Sequence, residues 1–588
     1  MNEVILNLIQ LLGGLAFFLY GMHVMSSGLE RMAGGKLERG LKRMTSNLGM
    51  SLLLGAGITI AIQSSSAMTV MLVGLVNSGI MQITQTVGII MGSNIGTTFT
   101  AWLTSMVGIE TDNIWMALLK PENFSLIFAL IGIVLIMLSK KQKRRDMGAI
   151  FVGFAVLMYG MKLMSGAVSP LAETEGFRSL LTMFRNPLLG VLVGAVFTGI
   201  IQSSAASVAA LQTIAATGGM TYSMAIPIIM GQNIGTCVTA LISSIGVNRN
   251  AKKVAVIHMS FNLIGTAIFL LLYFGLGAIV DMPLADQQIN GFGIAVVHTV
   301  FNVATTLLLL PFHQQLVRIA NFVLKDTQDE AERDGSLLDP RLLATPSVAI
   351  SACDALAVKM AQTARQSLLL SLGELKKFDA KTADTILHME QEVDSYEDTL
   401  GTYLVQLSAK KLSSEETRRV SKMLHAIGDF ERMGDHAVNI LSSARELEEK
   451  QLVFSDSAKR ELQTLIAALK QILELALQAY TTDDLAAAKQ VEPLEQVIDR
   501  LVATVKNRHI ARLQAGECSV ELGFILADLL GNIERVSDHC SNIAVAVISL
   551  RHNTFDTHEY LNAVKYEDAD FQKRYAQYLD QYRLPVKP

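Results

Sequence analysis

From Met1 to about Lys325 the chain is a succession of long apolar stretches broken by short polar ones; beyond Asp326 apolar residues recur at helical spacing on a charged background. Apolar stretches near or above roughly 20 residues are long enough to cross a bilayer as helices. The first part therefore predicts a membrane domain and the second a soluble helical one. Crossing helices are predicted near 4–25, 83–107, 124–139, 147–168, 222–247, 254–280 and 292–313, with two hairpins, Leu52 to Asn77 and Val191 to Thr217, that dip in and return. Three crossings in place of one hairpin plus a helix would keep the same parity. The run Val4 to Met25 lacks a basic leader and an evident Ala-x-Ala cleavage site, so it reads as a retained helix.

A charged segment with Gly335, Pro340 and Pro346 reads as a linker over 326–346. Helical periodicity then runs through 348–370, 380–408, 413–447, 457–480, 485–513 and 520–550, which fits two three-helix bundles. The expected fold class is all-α: a polytopic membrane domain over 1–325, a linker, a helical domain over 347–550 and a tail over 551–588.

The membrane part repeats itself at an offset of 139 residues, aligning Asn47 to Ser105 with Asn186 to Ser244 and Tyr20-Gly21-Met22 with Tyr159-Gly160-Met161. Chance similarity of apolar helices would scatter matches among Leu, Ile and Val. Here they concentrate in Gln, Ser, Asn, Gly and Thr, which points to duplication of one unit, about 4–107 and 147–247. Basic residues mark cytoplasmic loops. The cluster Lys140 to Arg145 precedes the second copy, whereas Arg31, Lys36, Arg39, Lys42 and Arg43 follow the first helix of the first copy. The two copies are thus expected to enter from opposite sides, with the N-terminus outside and the C-terminal domain in the cytoplasm. Glu110 to Glu122 and Asp281 to Asn290 fall outside on this count, and Arg249 to Lys253 and Arg318 to Lys325 inside.

Composition agrees: a mean hydropathy of +0.38 with 17% charged residues is too apolar for an ordinary soluble protein. The formal charge of −4 is too small to imply a nucleic-acid partner by itself, and none is expected; four cysteines without a close pair suggest reduced structural thiols. Lipid is the expected surrounding, and a homodimer is compatible with the chain.

The repeated polar groups carry the candidate chemistry: Gln63-Ser64-Ser65-Ser66 with Gly92-Ser93-Asn94-Ile95-Gly96-Thr97, and Gln202-Ser203-Ser204-Ala205 with Gly231-Gln232-Asn233-Ile234-Gly235-Thr236. No Asp, Glu, Lys, Arg or His lies within Leu52 to Met106 or Leu188 to Val247. Irregular backbone at membrane depth persists only where protein buries it or a watery cavity meets it. The Gly, Ser and Asn content of 63–66 and 92–98 suits such breaks. Exposed carbonyls and hydroxyls are hard ligands for sodium, and half-helix N-termini favour an anion. Ser64, Ser65, Ser203 and Ser204 can donate to an oxyanion, with Gln63, Gln202, Asn94 and Asn233 orienting the loops. The alternative is that small hydroxylated residues only let helices pack closely. His258 and Asn262 recur as His298 and Asn302, and hydrogen bonding between helices accounts for them more simply than proton coupling.

These motifs and the repeat resemble the type II sodium/phosphate cotransporter family over roughly residues 1–325. The resemblance implies inverted repeats with two re-entrant hairpins, sodium as coupling ion and inorganic phosphate as substrate. It places the site at Gln63, Ser64, Ser65 and Ser66 and at Gln202, Ser203 and Ser204, with Asn94, Thr97, Asn233 and Thr236 beside them. Ala205 stands where the first copy has Ser66, so these two positions are not equivalent.

The soluble part repeats at an offset of 103: Glu431-Arg432-Met433-Gly434-Asp435-His436 and Asn439 recur as Glu534-Arg535-Val536-Ser537-Asp538-His539 and Asn542. Glu390-Gln391 and Asp394 are echoed by Glu495-Gln496 and Asp499. Carboxylates at i and i+4 repel when unpaired, by about 0.2–0.5 kcal/mol. A divalent or ferric metal is one reason to keep them; a solvated face, or ion pairs with Arg432 and Arg535, is another. This signature resembles the PhoU family over about 346–550, which implies two three-helix bundles, metal sites such as iron on Glu431, Asp435, Glu534 and Asp538, and a regulatory role.

The combined expectation is a sodium-coupled phosphate symporter of the cytoplasmic membrane, adjusted by a cytoplasmic PhoU-like domain and not an enzyme. No G-x-x-x-x-G-K-[ST] loop is present, so the energy comes from an ion gradient. A phosphate exporter, a carrier for another oxyanion, and a membrane-anchored phosphate sensor without transport are the competing readings.

Overall fold

The computed structural model describes residues 2–33, 47–105, 121–172, 174, 183–279, 284–325, 338–410, 412–552 and 569–585. The basic residues 36–43, the acidic stretch up to residue 120, the start of the 281–290 segment, linker residues 326–337 and tail residues 553–568 lie outside them. The chain divides into two compact units, Met1–Val348 and Ala349–Pro588. Both are helical, and the isolated bridge between Thr221 and Gln288 is the one β pairing among the described residues.

The first unit contains α1 (Asn2–Ala33), α2 (Leu48–Ile62), α3 (Ser65–Asn77), α4 (Ile83–Ser105), α5 (Pro121–Leu138), α6 (Gln142–Ala172), α7 (Pro187–Ile201), α8 (Ser204–Ala215), α9 (Tyr222–Ser243), α10 (Arg249–Ile279), α11 (Gly291–Leu309) and α12 (His313–Val323), then a 3-10 turn, Pro340–Ala344. Among the described residues five stretches are long and apolar enough to span a membrane: Ile5–Met32, Gln142–Pro170, Tyr222–Ser243, Arg249–Tyr273 and Gly291–Val323. Of the other two expected crossings, α4 is long enough but carries Thr, Ser, Asn and Gln along its length, and α5 is short. The limbs α2, α3, α7 and α8 have 15, 13, 15 and 12 residues. At the helical rise they reach only about 18–22 Å, less than the hydrocarbon core. Leu188, Leu192, Val196 and Ile200 form an i, i+4 stripe on α7 that is 51–75% exposed, an apolar face suited to lipid.

Close backbone contact explains the glycines of the repeated motif. A Cβ on Gly92 of α4 would lie 1.9 Å from the Leu52 carbonyl oxygen of α2, and one on Gly231 of α9 2.0 Å from that of Val191 on α7. The pair Gly21 and Gly160 does the same between α1 and α6. The structure here corrects the expectation of a backbone break at 92–98, because α4 runs unbroken through it and α9 through the equivalent segment. Glycine there serves helix contact, not irregular backbone. The His–Asn pattern also serves packing: Asn233 of α9 donates to Asn302 Oδ1 of α11 at 2.9 Å and meets His298 Nε2 at 3.4 Å, while Asn262 of α10 donates to Cys237 Sγ at 3.3 Å.

The second unit contains α13 (Pro346–Glu374), α14 (Ala380–Ser408), α15 (Ser414–Glu449), α16 (Asp456–Thr482), α17 (Leu485–Gln514) and α18 (Val520–His552). α15 lies against α14 and α18, and α16, α17 and α18 pack together, giving two three-helix bundles joined at α15 and α18. The duplicated histidines clasp that seam reciprocally: His436 Nδ1 pairs with Asn532 Oδ1 at 2.8 Å and His539 Nδ1 with Asp429 Oδ1 at 2.9 Å. The expected tail is in part structural. Helix α19 (Ala569–Gln581) packs on α17, and Arg508 donates to the Pro585 carbonyl at 2.8 Å.

Gly92→Ala is expected to push α4 off α2 and to destabilise the protein by about 1–3 kcal/mol, the usual scale of core overpacking. Thermal unfolding of the purified protein in detergent checks this, and an unchanged transition would contradict the backbone contact.

Candidate functional site

Each hairpin turns at one glutamine. Gln63 between α2 and α3 has φ 56° and ψ 27°, and Gln202 between α7 and α8 has φ 56° and ψ 26°. Left-handed backbone costs a non-glycine residue about 1–2 kcal/mol, so each side chain needs a reason to be there. The next residue caps the following helix: Ser64 Oγ accepts from Ala67 N at 3.1 Å, and Ser203 Oγ from Ala206 N at 3.2 Å. Serine suits this position because its hydroxyl takes one of the amide hydrogens that lack an intrahelical acceptor. On the other side of the break, Ser26 of α1 donates to the carbonyl of Ile62, the last residue of α2.

The two turns meet at one cavity of about 200 Å³. Its walls are Leu19, Met22, His23 and Ser26 from α1, Gln63 to Ser66, Thr97, and Gln202 to Ala205. The N-termini of α3 and α8 both open onto it, so two positive dipole ends and several hydroxyls face one space. His23 is the one ionisable side chain of the lining. A small oxyanion suits such a donor set, and carbonyls at the helix ends suit a hard monovalent cation.

Of the eleven residues expected at the site, Gln63, Ser64, Ser65, Ser66, Thr97, Gln202, Ser203 and Ser204 line this cavity. Asn94, Asn233 and Thr236 do not. Asn94 donates to Ile90 O of its own helix at 3.1 Å, Thr236 to Gln232 O at 3.0 Å, and Asn233 is held by Asn302. The repeats also differ in detail. Thr100 donates to Gln63 Oε1 at 2.8 Å, whereas Thr239, its counterpart, has a buried hydroxyl without a partner and Gln202 is exposed. The contribution of α1 went unread in the sequence. The signal was there: His23 is an ionisable residue inside an apolar run, directly after the repeated Tyr-Gly-Met.

In the second unit two carboxylate groups gather, Glu390, Asp394 and Asp435 in one bundle and Glu495, Asp499 and Asp538 in the other, each with ligand atoms within 4.8 Å of one another. Asp435 and Asp538 were expected there; Glu431 and Glu534 fall outside both groups, and the echoed second-helix residues take their place. Burial, then repulsion from Asp394 and Asp435, raises the Glu390 carboxyl above the usual range, and burial, then Asp435, does the same for Asp394. Burial also raises Asp538, with Arg535 and His539 pulling the other way. Three hard oxygen donors that resist ionising side by side fit a divalent or ferric cation, which would remove the repulsion.

Comparison with known proteins places both halves. The Na+/Pi-cotransporter family profile matches residues 17–166 and 156–298, and the PhoU domain profile matches 357–444 and 462–547. A candidate inorganic phosphate export protein of Salmonella typhimurium, YjbB, is 24% identical over 557 residues, covering 92% of this chain and 98% of that protein. The uncharacterized protein YqeW of Bacillus subtilis is 30% identical over 255 residues, 43% of this chain and 78% of its own length. The crystal structure of PhoU from Streptococcus pneumoniae overlaps 36% of this chain and 98% of that chain, with 19% identity and a TM-score of 0.33. The chain is thus a multi-pass membrane protein that belongs to the Na+/Pi-cotransporter family and carries a PhoU region behind its membrane domain.

Proposed function

We propose that this chain carries inorganic phosphate across the cytoplasmic membrane in company with sodium, and that its PhoU-like domain adjusts the flux from the cytoplasmic side. The observation that carries this reading is the meeting of two capped helix N-termini, with their serines, at one cavity. Phosphate would be held by Ser64, Ser65, Ser66, Ser203 and Ser204 and by the free amides of α3 and α8. Sodium would take carbonyl and hydroxyl oxygens at the same breaks, Thr97 among them. The two repeats act as inverted halves with re-entrant hairpins, rocking about the shared site, the layout common to secondary carriers. In the PhoU-like domain, Glu390, Asp394 and Asp435 and their counterparts Glu495, Asp499 and Asp538 would hold metal, which supplies positive charge that binds the bundles' acidic faces into one conformation.

A second reading is export. It is favoured by the relatives called phosphate export proteins, which match along nearly their whole length. The cavity is equally suited to either direction, since direction depends on the gradients.

In proteoliposomes, labelled phosphate uptake is expected to require an inward sodium gradient and to stop when potassium replaces sodium. Uptake indifferent to sodium would remove the coupling ion, and flux only out of the cytoplasmic side would favour export. Ser64→Ala and Ser203→Ala each remove a cap and a donor, and each is expected to lower flux about tenfold, the equivalent of one cap-scale interaction.

Metal is expected to raise the unfolding temperature of the full-length protein and chelator to lower it. Asp435→Asn removes one like charge, which should stabilise the metal-free protein by about 0.2–0.5 kcal/mol per relieved pair and blunt the response to metal. An equal response in the variant would exclude Asp435 as a ligand.

A further inference from the structure

The described end of the segment expected to be a linker, residues 338–345, is docked on the first unit. Leu338 and Leu342 are 3% and 0% exposed, and Asp339 between them is fully buried. Leu342 sits over Gly74 of α3, where a Cβ would come within 2.8 Å of its Cδ2. Asn77, the last residue of α3, donates to Asp339 Oδ2 at 2.7 Å and accepts from Asn248 N at 2.9 Å through its own Oδ1. Asn248 returns a bond to the Asn77 carbonyl at 3.0 Å. Asp339 also caps its own 3-10 turn through Arg341 N at 2.8 Å and pairs with the Arg341 guanidinium at 3.1 Å, which in turn donates to Ile245 O at 2.7 Å. One carboxylate therefore ties together three things: the end of α3, the loop between α9 and α10, and the chain that enters α13 seven residues later.

α3 is a single rigid element of 13 residues. Its first residue, Ser65, lines the cavity; its last, Asn77, lies about 18 Å away along the axis and is held by Asp339. The second repeat has nothing equivalent, because Ala216 stands where Asn77 would be and Thr213 where Gly74 would be. The clamp thus acts on one hairpin only, and it is made by residues next to the helix that begins the PhoU-like domain.

We propose that Asp339 is a positioning residue for the first hairpin: by holding Asn77 it sets the placement of the Ser64–Ser66 end of α3. A buried carboxylate that loses its partner, or a partner that loses its carboxylate, leaves an unsatisfied group that shifts the element carrying it. A displaced α3 carries its N-terminal donors out of register with those of α8.

The inference rests on the transport reading, and its test separates the two. Full-length wild type, Asp339→Ala, Asn77→Ala and the double exchange Asn77→Asp with Asp339→Asn are compared. The exchange reverses donor and acceptor, so the contact survives. Hydrogen exchange over residues 65–77 is expected to speed up in both alanine variants and to return towards wild type in the exchange. The phosphate concentration giving half-maximal flux is expected to rise about tenfold in Asp339→Ala, the scale of one buried charge-assisted hydrogen bond, and to recover in the exchange. Unaltered exchange and unaltered half-saturation in Asp339→Ala would overturn the proposal. So would an exchange variant that folds to a single species yet stays as impaired as Asp339→Ala. A wild type that moves no phosphate while α3 still loosens in Asp339→Ala would sink the transport reading and leave the positioning role intact.

Discussion

A helix that stops inside a membrane domain strands amide hydrogens on one side of the break and carbonyls on the other, and the architecture of the first unit follows from the need to satisfy both. At the first hairpin the hydroxyl of Ser64 takes an amide of α3, and Ser26 of α1 reaches the Ile62 carbonyl. That second contact requires α1 to lie beside the break. α1 is in turn held to α6 by close backbone approach at Gly21 and at Gly160, and α2 to α4 by Gly92. The cavity is what remains between two such breaks once their backbones are supported. Its polar lining is therefore the same set of groups that makes the fold tenable.

The two repeats share a backbone plan but not a bonding plan. Gln63 is locked by Thr100, while Thr239 is left without a partner. Thr59 donates to Ser93 across to α4, yet its counterpart Thr198 donates to Ser207 across the hairpin. Asn94 bonds within its own helix, and Asn233 ties α9 to α11. Ser66 and Ala205, a hydroxyl in one repeat and a methyl in the other, both line the cavity. A carrier built of identical halves would have no preferred side. The first hairpin is tied to α4 through Thr59 and Gln63, whereas the second is tied across itself by Thr198 and to α4 and α11 through Gln212.

Much of this was legible in the sequence, for stated physical reasons. Duplicated polar residues within apolar runs located the hairpins, because polarity at membrane depth is costly unless it is used; six periodic segments located the bundles, because amphipathic helices must bury one face. Composition misled at Gly92 to Thr98. Glycine and asparagine suit a break and suit tight helix contact equally, and only the position of Leu52 decides between them. Glu431 and Glu534 were read as ligands from their motif; the carboxylates that gather tightly pair Glu390 and Asp394 of one helix with Asp435 of the next, and Glu495 and Asp499 with Asp538, while Glu431 stays within electrostatic reach of Asp394 and Asp435. Asp339 was invisible because its partner lies 262 residues away.

Gln63 and Gln202 hold a backbone conformation that glycine adopts without strain. Substitution to glycine would ease each turn locally while deleting the amide that Thr100 engages in the first repeat. Glycine at either turn would thus relax the backbone and at the same time take a polar side chain out of the cavity wall, so local comfort and the chemistry of the lining make opposite demands on these two positions.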